Sequence, residues 1–337
     1  MNYRSVIFKS FFRLGLLCLS LGMIFNSCSS IWSGEEECPE GILLRFIYDY
    51  NMEYANAFHN KVDCITVFVY DEQGNHVSTH TETTSVLKDE GYRMSLDLAE
   101  GQYSLVAYGG LACDKASFEM AGPAAARSSV YADRVVQMKE GEAGAKLHDF
   151  YFGCVDVSVV DNGYTEMTLP LMKNTNNIRV ILQQLNGDPL KSADFKFSIT
   201  DDNTKFSYDN SLIPNGIVTY NPWDLGEIST GTEAPGTGDE KEVVAAYAEF
   251  STSRLVTSNS PHLTVKRADN DEDIISIPLN NYLMLLKSSQ YSEMGRQEFL
   301  DRESEWSMIF FLDSGLRWIN THIVVNDWVV RINHTDY

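Results

Sequence analysis

Positive charge is scarce in this 337-residue sequence. Its 26 Lys and Arg residues stand against 47 Asp and Glu residues, so the formal net charge at pH 7 is −21. Binding to nucleic acid phosphates or to an anionic lipid surface needs clustered Lys and Arg. The pair Lys266-Arg267 comes nearest to such a cluster, but the acidic segment 269–273 follows it. We therefore predict that nucleic acid is not a partner of this chain.

Catalytic motifs are also missing. The sequence contains no Gly-x-Ser-x-Gly elbow, no His-Glu-x-x-His zinc motif, no phosphate-binding glycine loop and no dinucleotide-binding fingerprint. His76 and His80 lie four residues apart on a predicted strand, which separates them by about 13 Å, too far to share a metal ion. Segment 269–273 starts like a calcium-binding loop, but Ile274 and Asn280 occupy the positions that require Gly and Glu. We predict no enzymatic activity, no cofactor and no metal.

Two alternatives that involve sugars stay open at this stage. Trp223 and Trp306 could stack on sugar rings, although tryptophans in a β-sandwich more commonly pack in its core. Paired carboxylates for glycoside hydrolysis could also exist, because the sequence does not show which acids face each other. The three-dimensional arrangement is needed to separate these alternatives from core packing and surface charge.

Long hydrophobic runs are absent. The apolar stretch 14–25, interrupted by Ser20, is too short for a membrane-spanning helix, which needs roughly 20 residues. It follows three basic residues and precedes the pair Ser27-Cys28, so residues 1–27 are predicted to be a signal peptide of the bacterial lipoprotein type. Acylation of Cys28 would fix the mature chain to the outer membrane, because two or more acyl chains hold a protein to a bilayer almost permanently. The alternative is an ordinary cleaved signal with an incidental cysteine.

Cysteine is sparse in the predicted mature chain. Beyond Cys28, the cysteines are Cys38, Cys64, Cys113 and Cys154. An exported chain can oxidise them to disulfides, and four cysteines allow three pairings. None has the Cys-x-x-Cys spacing of a zinc or redox site. Disulfides of unknown pairing are one interpretation, and buried free thiols are the other.

What the mature chain does contain is strand periodicity. Segment 92–98 alternates apolar and polar residues, which is typical of a half-buried strand. Many short strands separated by turn residues, with almost no helical period, predict an all-β fold of sandwich type. At about 150 residues per domain, the length indicates two domains. With the Asn-rich step 174–177 as boundary, the predicted order is a tether at 28–40, a first β-sandwich domain at 41–173 and a second at 174–337.

Five segments are expected to depart from regular strands. Segment 114–149 is predicted to be a long irregular connection, and 226–241 a mobile loop. Segment 52–60 could form one or two helical turns, and 295–303 is weakly helical. Segment 279–287 is apolar and compatible with either a strand or a helix, because short apolar runs do not distinguish the two.

Several segments together resemble a known family. They begin at Cys38-Pro39-Glu40-Gly41-Ile42 and continue as LLRFIYDYNMEYANAF at 43–58, VFVYD at 67–71, GQYSLVAYGG at 101–110 and NDWVVRIN at 326–333. These segments resemble the FimB/Mfa family of fimbrial anchor subunits of Bacteroidales, which are lipoproteins of the fimbrillin superfamily. The resemblance implies two transthyretin-like sandwich domains and a surface-exposed, lipid-anchored protein at the base of a fimbrium. It also implies that fimbrial shaft subunits are the partners and that the protein limits fimbrial length.

The same resemblance makes the C-terminal segment a candidate donor strand. Related subunits polymerise when a C-terminal strand of one fills a groove in the next, from which a protease has removed a strand. Strand addition provides main-chain hydrogen bonds and pockets for alternate side chains. The candidate donor residues are Ile323, Val325, Trp328, Val330 and Ile332. The alternative is that 323–332 is an ordinary core strand of its own domain.

Two further functions compete with the anchor. The chain could be a fimbrial tip subunit or adhesin that binds host protein or glycan, with the loop 226–241 as one binding element. It could also be a surface lipoprotein that binds glycans.

The anchor function includes a way to stop fimbrial growth. An anchor that keeps its own first strand would offer no acceptor groove, so polymerisation would end at this subunit.

Overall fold

Strands dominate the computed structural model, which confirms the all-β prediction. The structure describes residues 40–121, 130–160, 163–229, 242–285, 287, 291–325 and 328–332, with only the backbone for 320–325 and 328–332. The three α-helices of the described residues are short: α1 (Phe58–Lys61), α2 (Leu279–Met284) and α3 (Arg296–Arg302). Within the described ranges, no helix is long and apolar enough to cross a membrane.

Two sheets enclose the first hydrophobic core. Sheet 1 has the order β4-β1-β9 and consists of β1 (Gly41–Ile47), β4 (Met94–Asp97) and β9 (Tyr164–Pro170). Sheet 2 has the order β10-β8-β5-β2-β3 and consists of β2 (Ile65–Asp71), β3 (His76–Glu82), β5 (Gly101–Gly109), β8 (Tyr151–Val159) and β10 (Met172–Lys173). Alternate side chains of both sheets meet in one buried cluster, as the period of two requires.

A third, small sheet covers the outer face of sheet 2. Sheet 3 has the order β13-β7-β6 and consists of β6 (Phe118–Met120), β7 (Val135–Met138) and β13 (Lys205–Ser207). Phe118, Val136 and Phe206 pack against Tyr108 and Phe150 in a buried aromatic cluster. The prediction that 114–149 is irregular is therefore wrong at β6 and β7. Strands of three or four residues are too short to show a period-two pattern.

The second core lies between the remaining two sheets. Sheet 4 has the order β15-β16-β11-β19-β20-β21 and consists of β11 (Thr175–Gln184), β15 (Asp224–Ser229), β16 (Val244–Ser253), β19 (Glu305–Leu312), β20 (Trp318–Val325) and β21 (Trp328–Ile332). Sheet 5 has the order β14-β12-β17-β18 and consists of β12 (Phe195–Asp201), β14 (Val218–Tyr220), β17 (His262–Arg267) and β18 (Asp273–Pro278). Helices α2 and α3 contribute Leu279, Leu283 and Phe299 to this core.

The Asn-rich step at 174–177 is buried at 174–176. Asn174 and Asn210 exchange side-chain amide hydrogen bonds of 2.7 and 3.0 Å, and both side chains are buried. The Asn176 amide accepts from Trp306 Nε1 at 3.1 Å. The fully buried residues of the first core lie before this step and those of the second core lie after it. These clusters support the predicted division at 173/174, which stays a prediction.

The remaining local predictions had mixed outcomes. Helix α3 confirms the helix within 295–303, and α2 makes 279–287 helical over most of its length. In segment 52–60 only 58–60 is helical, as part of α1. The predicted loop 226–241 is wrong at 226–229, because these residues pair with β16 from Tyr247 back to Val244. Residues 230–241 lie outside the described ranges.

Candidate functional site

The first strand of the fold lies in the centre of sheet 1. Strand β1 pairs in antiparallel fashion with β4. It pairs in parallel fashion with β9 over its full length, from Gly41↔Tyr164 to Ile47↔Pro170. Ile42, Leu44 and Phe46 point into the first core with relative exposures of 0, 0 and 1 %. Each such side chain stabilises the fold by about 1.5–3 kcal/mol through burial. Strand β1 is thus an integral part of the sandwich.

Glycine is required where β1 begins. Gly41 has a φ of +153°, and a Cβ at this position would lie 2.0 Å from the backbone oxygen of Leu96. A contact that short cannot be relieved by moving a side chain, because the opposing atom belongs to the backbone of the neighbouring segment. Gly41 therefore allows the chain to enter sheet 1 close against the end of β4.

Two of the four cysteines considered for disulfides form one in the structure. Cys64, directly before β2, forms a disulfide with Cys113, which follows β5. Cys154 is a free, exposed thiol on β8, so the free-thiol alternative applies to it, although not the expected burial. Cys28 and Cys38 lie outside the described residues. The lipidation of Cys28 and any role of Cys38 stay predictions.

The disulfide closes a loop that contains Arg93. Arg93 precedes β4, and its Nε donates to Glu166 on β9 at 2.8 Å. Arg45, the other arginine near β1, is only partly buried and lies within the strand itself. Chain cleavage after Arg93 would leave the segment before it linked to the rest of the protein through Cys64 and Cys113. Cleavage after Arg45 would require β1 to leave sheet 1 first.

The C-terminal segment forms a hairpin. The candidate donor residues Ile323 and Val325 lie on β20, and Trp328, Val330 and Ile332 lie on β21. The two strands pair in antiparallel register, with Ile323 opposite Val330 and Val325 opposite Trp328. The expectation of one continuous strand at 323–332 is therefore wrong. Asn and Asp favour turns, and the sequence between the strands is Asn326-Asp327.

The hairpin forms one margin of sheet 4. Strand β20 pairs with β19, and β21 is the outermost strand of the sheet among the described residues. The hydrophobic residues of the second core all lie at or before Leu312, apart from the partly buried Leu316 and Trp318. For 320–325 and 328–332 the structure describes the strand pairing alone. Their role as donor residues stays a prediction.

The tryptophans and histidines named above have ordinary surroundings. Trp306 is 2 % exposed and packs in the second core, so it is not available to a sugar. Trp223 is partly buried, and the Lys146 ammonium lies 4.8 Å above its ring. His76 and His80 each hydrogen-bond a hydroxyl of their own strand, at Thr79 and Ser78.

Sequence reasoning missed a charged junction between the two halves. The Arg302 guanidinium lies over the rings of Tyr50 and Tyr54, at 4.1 and 4.5 Å, and its Nε donates to Glu298 at 2.8 Å. Its Nη1 donates to the backbone oxygens of Asp49 and Asn51. No sequence signal could identify this junction, because its two sides are some 250 positions apart.

Glu303 is a buried carboxyl at this junction. It is 3 % exposed, and its Oε1 accepts hydrogen bonds from the backbone of Ser304 and Glu305 at 2.9 and 2.8 Å. Burial raises the pKa of the Glu303 carboxyl to about 7, in spite of these two donors. Nearby, Lys173 bridges Asp149 and Glu305 at 3.0 and 3.4 Å.

Comparison with known proteins supplies the context for these features. The sequence profile of the fimbrillin-A associated anchor proteins Mfa1 and Mfa2 matches residues 35–334. Comparison with proteins of curated function finds no match. The crystal structure of a candidate adhesin from Bacteroides thetaiotaomicron is 54 % identical, covers 89 % of this chain and 100 % of that chain, and superposes with a TM-score of 0.83.

Two further crystal structures share the fold. A candidate polysaccharide-binding protein from Bacteroides thetaiotaomicron is 26 % identical over 87 % of this chain and 98 % of that chain, with a TM-score of 0.73. The fimbrial anchor protein Mfa2 from Porphyromonas gingivalis is 14 % identical over 87 % and 99 %, with a TM-score of 0.63, which shows likeness of fold. Because the profile match extends over most of the sequence, the chain belongs to the family of fimbrillin-A associated anchor proteins, which are associated with fimbriae.

Proposed function

We propose that this protein is the outer-membrane lipoprotein at the base of a fimbrium. In this proposal Cys28 carries the lipid, residues 28–40 form the tether, and the C-terminal hairpin binds the adjoining shaft subunit. Polymerisation ends at this protein because its own first strand remains in place. The function is structural and involves no catalysis. The main observation behind the proposal is that β1 lies between β4 and β9 and pairs with both.

The occupied position of β1 supports the termination step. A donor strand that enters sheet 1 between β4 and β9 would have to displace β1, which pairs with both. Exchange would expose Ile42, Leu44 and Phe46, at a cost of several kcal/mol before any new contact forms. A subunit with this groove filled can receive no further subunit at that end.

The disulfide supports retention of the first strands after proteolysis. A protease that cuts after Arg93 separates β1, β2 and β3 from the rest in sequence. The Cys64–Cys113 bond still connects them, because the cut falls inside the loop that this bond closes. Strand β2 also pairs with β5 inside sheet 2, which holds the cut segment by a second means.

The hairpin supports contact with a shaft subunit. The outermost strand of a sheet presents unpaired backbone groups that a strand from another chain can pair with. Strand β21 occupies this position in sheet 4, and its sequence, WVVRI, is rich in β-branched residues. Donation of β21 to a shaft subunit would break its pairing with β20 and leave the pairing of β20 with β19 intact.

The tip-adhesin function remains the second candidate. The B. thetaiotaomicron relative that is 54 % identical is described as a candidate adhesin, which is compatible with either end of a fimbrium. Immunogold labelling separates the two roles, since an anchor localises to the cell-proximal end and a tip subunit to the distal end.

Two truncations test the donor role of the hairpin. A chain that ends at Val325 lacks β21, whereas a control chain that ends at Ile332 lacks only 333–337. We expect both proteins to be lipidated and folded, because β21 is a five-residue strand at the margin of sheet 4 and pairs with β20. Cells with the shorter chain should release fimbriae into the medium, and cells with the control should retain them. Normal retention by the shorter chain would show that β21 is not the donor.

A further inference from the structure

Side chains of metal-binding type meet around the disulfide, at one end of sheet 2. Asp63 Oδ1 and the Sγ atoms of Cys64 and Cys113 all lie within 4.8 Å of one another. The same carboxylate oxygen is 3.0 Å from Cys113 Sγ and 3.0 Å from His148 Nε2. Thiolates, carboxylates and imidazoles are the groups that bind Zn²⁺ in proteins. The prediction of no metal rested on the spacing of ligands along the sequence, which does not reveal ligands that strand pairing brings together.

The backbone holds the two cysteines together in addition to their covalent bond. Strands β2 and β5 pair with Ile65 opposite Gly109, and the Gly110 N–H donates to the Cys64 carbonyl oxygen at 3.1 Å. The Cα atoms of Cys64 and Cys113 are 5.6 Å apart. A chain is synthesised with its cysteines as thiols, and disulfides form in oxidising compartments. In the thiol form of the folded chain, strand pairing therefore still places the two sulfur atoms side by side.

The thiol form brings together groups that repel each other when ionised. A thiolate at Cys64 or Cys113 would lie close to the Asp63 carboxylate, and a like charge at this distance disfavours ionisation. A bound divalent cation removes the repulsion, and the two thiols lose their protons as the metal binds. Two sulfur donors and one carboxylate oxygen favour Zn²⁺ over Mg²⁺ or Ca²⁺, which prefer oxygen donors alone.

A pocket beside the disulfide gives a cation access to these groups. It has a volume of about 380 Å³, is open to solvent, and is lined by Asp63, Cys64 and Cys113. A single water needs only about 10–15 Å³ by the same kind of measure. Asp114 and Lys115 also line the pocket, and their opposite charges offset each other. A hydrated cation can thus reach the sulfur atoms from the solvent.

His148 fixes the position of the Asp63 carboxylate. The His148 backbone N–H donates to the hydroxyl oxygen of the buried Ser117 at 2.9 Å, and its ring is 18 % exposed. Its Nε2 lies at hydrogen-bond distance from Asp63 Oδ1, whereas the Asp63 side chain is otherwise 52 % exposed. Hydrogen bonds between imidazole and carboxylate groups orient metal ligands, and their loss typically lowers metal affinity 10–100-fold. His148 is therefore a positioning residue for Asp63.

We propose that the thiol form of this protein binds one Zn²⁺ through Cys64 Sγ, Cys113 Sγ and the Asp63 carboxylate, with the fourth position open to water from the pocket. Binding replaces two S–H bonds with two Zn–S bonds and releases two protons. The metal and the disulfide use the same two sulfur atoms and exclude each other, and either one links the segment before β2 to the end of β5. The site is separate from β1 and from the C-terminal hairpin, so its failure would leave the anchor role unaffected.

Titration of the full-length protein with Co²⁺ and then Zn²⁺ tests this proposal. The protein is reduced with a phosphine, freed of the phosphine under nitrogen, and checked by alkylation and peptide mass for free thiols at Cys64 and Cys113. We expect one Co²⁺ to bind with the visible absorption of a tetrahedral site and a thiolate-to-cobalt band in the near ultraviolet, and Zn²⁺ to displace it. The untreated disulfide form is the matched control and should show neither band. Absence of the thiolate band in the reduced protein, or equal bands in the disulfide form, would overturn the proposal.

Variants of the reduced protein assign the binding to this site. Cys113→Ser should weaken Zn²⁺ binding about 100-fold or more, and Asp63→Asn about tenfold or more. Asp63 is an exposed side chain, so this variant should fold normally even if Cys113→Ser does not. Cys154→Ser, at the exposed free thiol on β8, is the control and should bind like the wild type. Unchanged affinity in Asp63→Asn, or an equal loss in the control, would contradict the assignment.

The positioning role of His148 has a test of its own. His148→Ala should lower Zn²⁺ affinity about 10–100-fold. His148→Gln, whose amide can donate to the Asp63 carboxylate, should restore part of this loss. Equal affinities in the wild type and His148→Ala would show that His148 does not position the ligand, and an equal loss in both variants would show that its hydrogen bond is not the cause.

Discussion

Of the side chains described above, Glu303 gives the clearest reason to expect that the stability of the fold depends on pH. Its pKa is raised by burial from an ordinary value of 4.5 to about 7 in the folded protein. The neutral carboxyl is thus the form that the fold favours. Its contribution to stability is fully present below pH 4.5 and is lost as the pH rises through 7. Asp201, whose pKa burial raises to about 6, acts in the same direction.

Replacement of Glu303 by Gln should remove part of this dependence. The amide keeps an acceptor for the Ser304 and Glu305 backbone groups without a buried charge. At pH 8 we expect the variant to be more stable than the wild type by about 1–3 kcal/mol, and at pH 4.5 nearly equal. Urea denaturation at the two pH values measures the difference. Glu305→Gln, whose side chain is 57 % exposed, should show no such gain, and an equal gain there would argue against a buried Glu303.

The sequence allowed some of these residues to be identified and not others. The lipobox-like Ser27-Cys28 pair and the four later cysteines can be recognised from local pattern alone. The Cys64–Cys113 pairing could not be chosen among three pairings, because proximity of β2 and β5 is a property of the folded sheet. The Arg302 and Glu303 environment likewise depends on contacts between residues distant in sequence.

At the scale of elements, period-two strands were predictable and very short ones were not. Strands β1, β4 and β12 alternate buried and less buried residues, which the sequence shows directly. Strands β6, β7 and β13 have three or four residues and obtain their order from packing on sheet 2. The pairing of β20 with β21 divides 323–332 into two strands, whereas the apolar residues on both sides of Asn326-Asp327 predict one.

The packing of β1 in the first core can be tested by substitution of its side chains. Leu44→Ala removes a fully buried side chain from the middle of β1 and should cost about 2–5 kcal/mol of unfolding free energy. Leu43→Ala, one residue earlier and only partly buried, should cost less than about 1 kcal/mol. Chemical denaturation of the two variants compares them. Equal, small effects would mean that β1 is not packed in the first core.

At the scale of the whole molecule, sheet 3 connects the two halves. Strand β13 comes from the second half and pairs with β7 of the first, with Phe206 opposite Val136. The side chain of Phe206 is 1 % exposed and packs with Phe118 and Phe150. The halves are thus coupled by a shared sheet and a shared aromatic cluster, in addition to the junction at Arg302.

This coupling predicts a long-range effect of Phe206→Ala. The substitution should cost about 3–5 kcal/mol and should accelerate amide hydrogen exchange in β6 and β7, in the other half of the chain. Ile217→Ala, at a side chain that is 79 % exposed, is the control and should leave exchange unchanged. Faster exchange confined to residues around 206 would show that sheet 3 does not couple the halves.

The central claim is a lipid-anchored protein that keeps its first strand at the base of the fimbrium. The most direct test is the intact mass of the membrane-extracted protein from fimbriated cells, with mapping of its N-terminal peptide. The account predicts a chain that begins at acylated Cys28 and contains β1 uncut. A lipid-free chain that begins after Arg45 or Arg93, with no N-terminal segment linked to it through Cys64 and Cys113, would contradict it, and would identify a subunit processed for polymerisation.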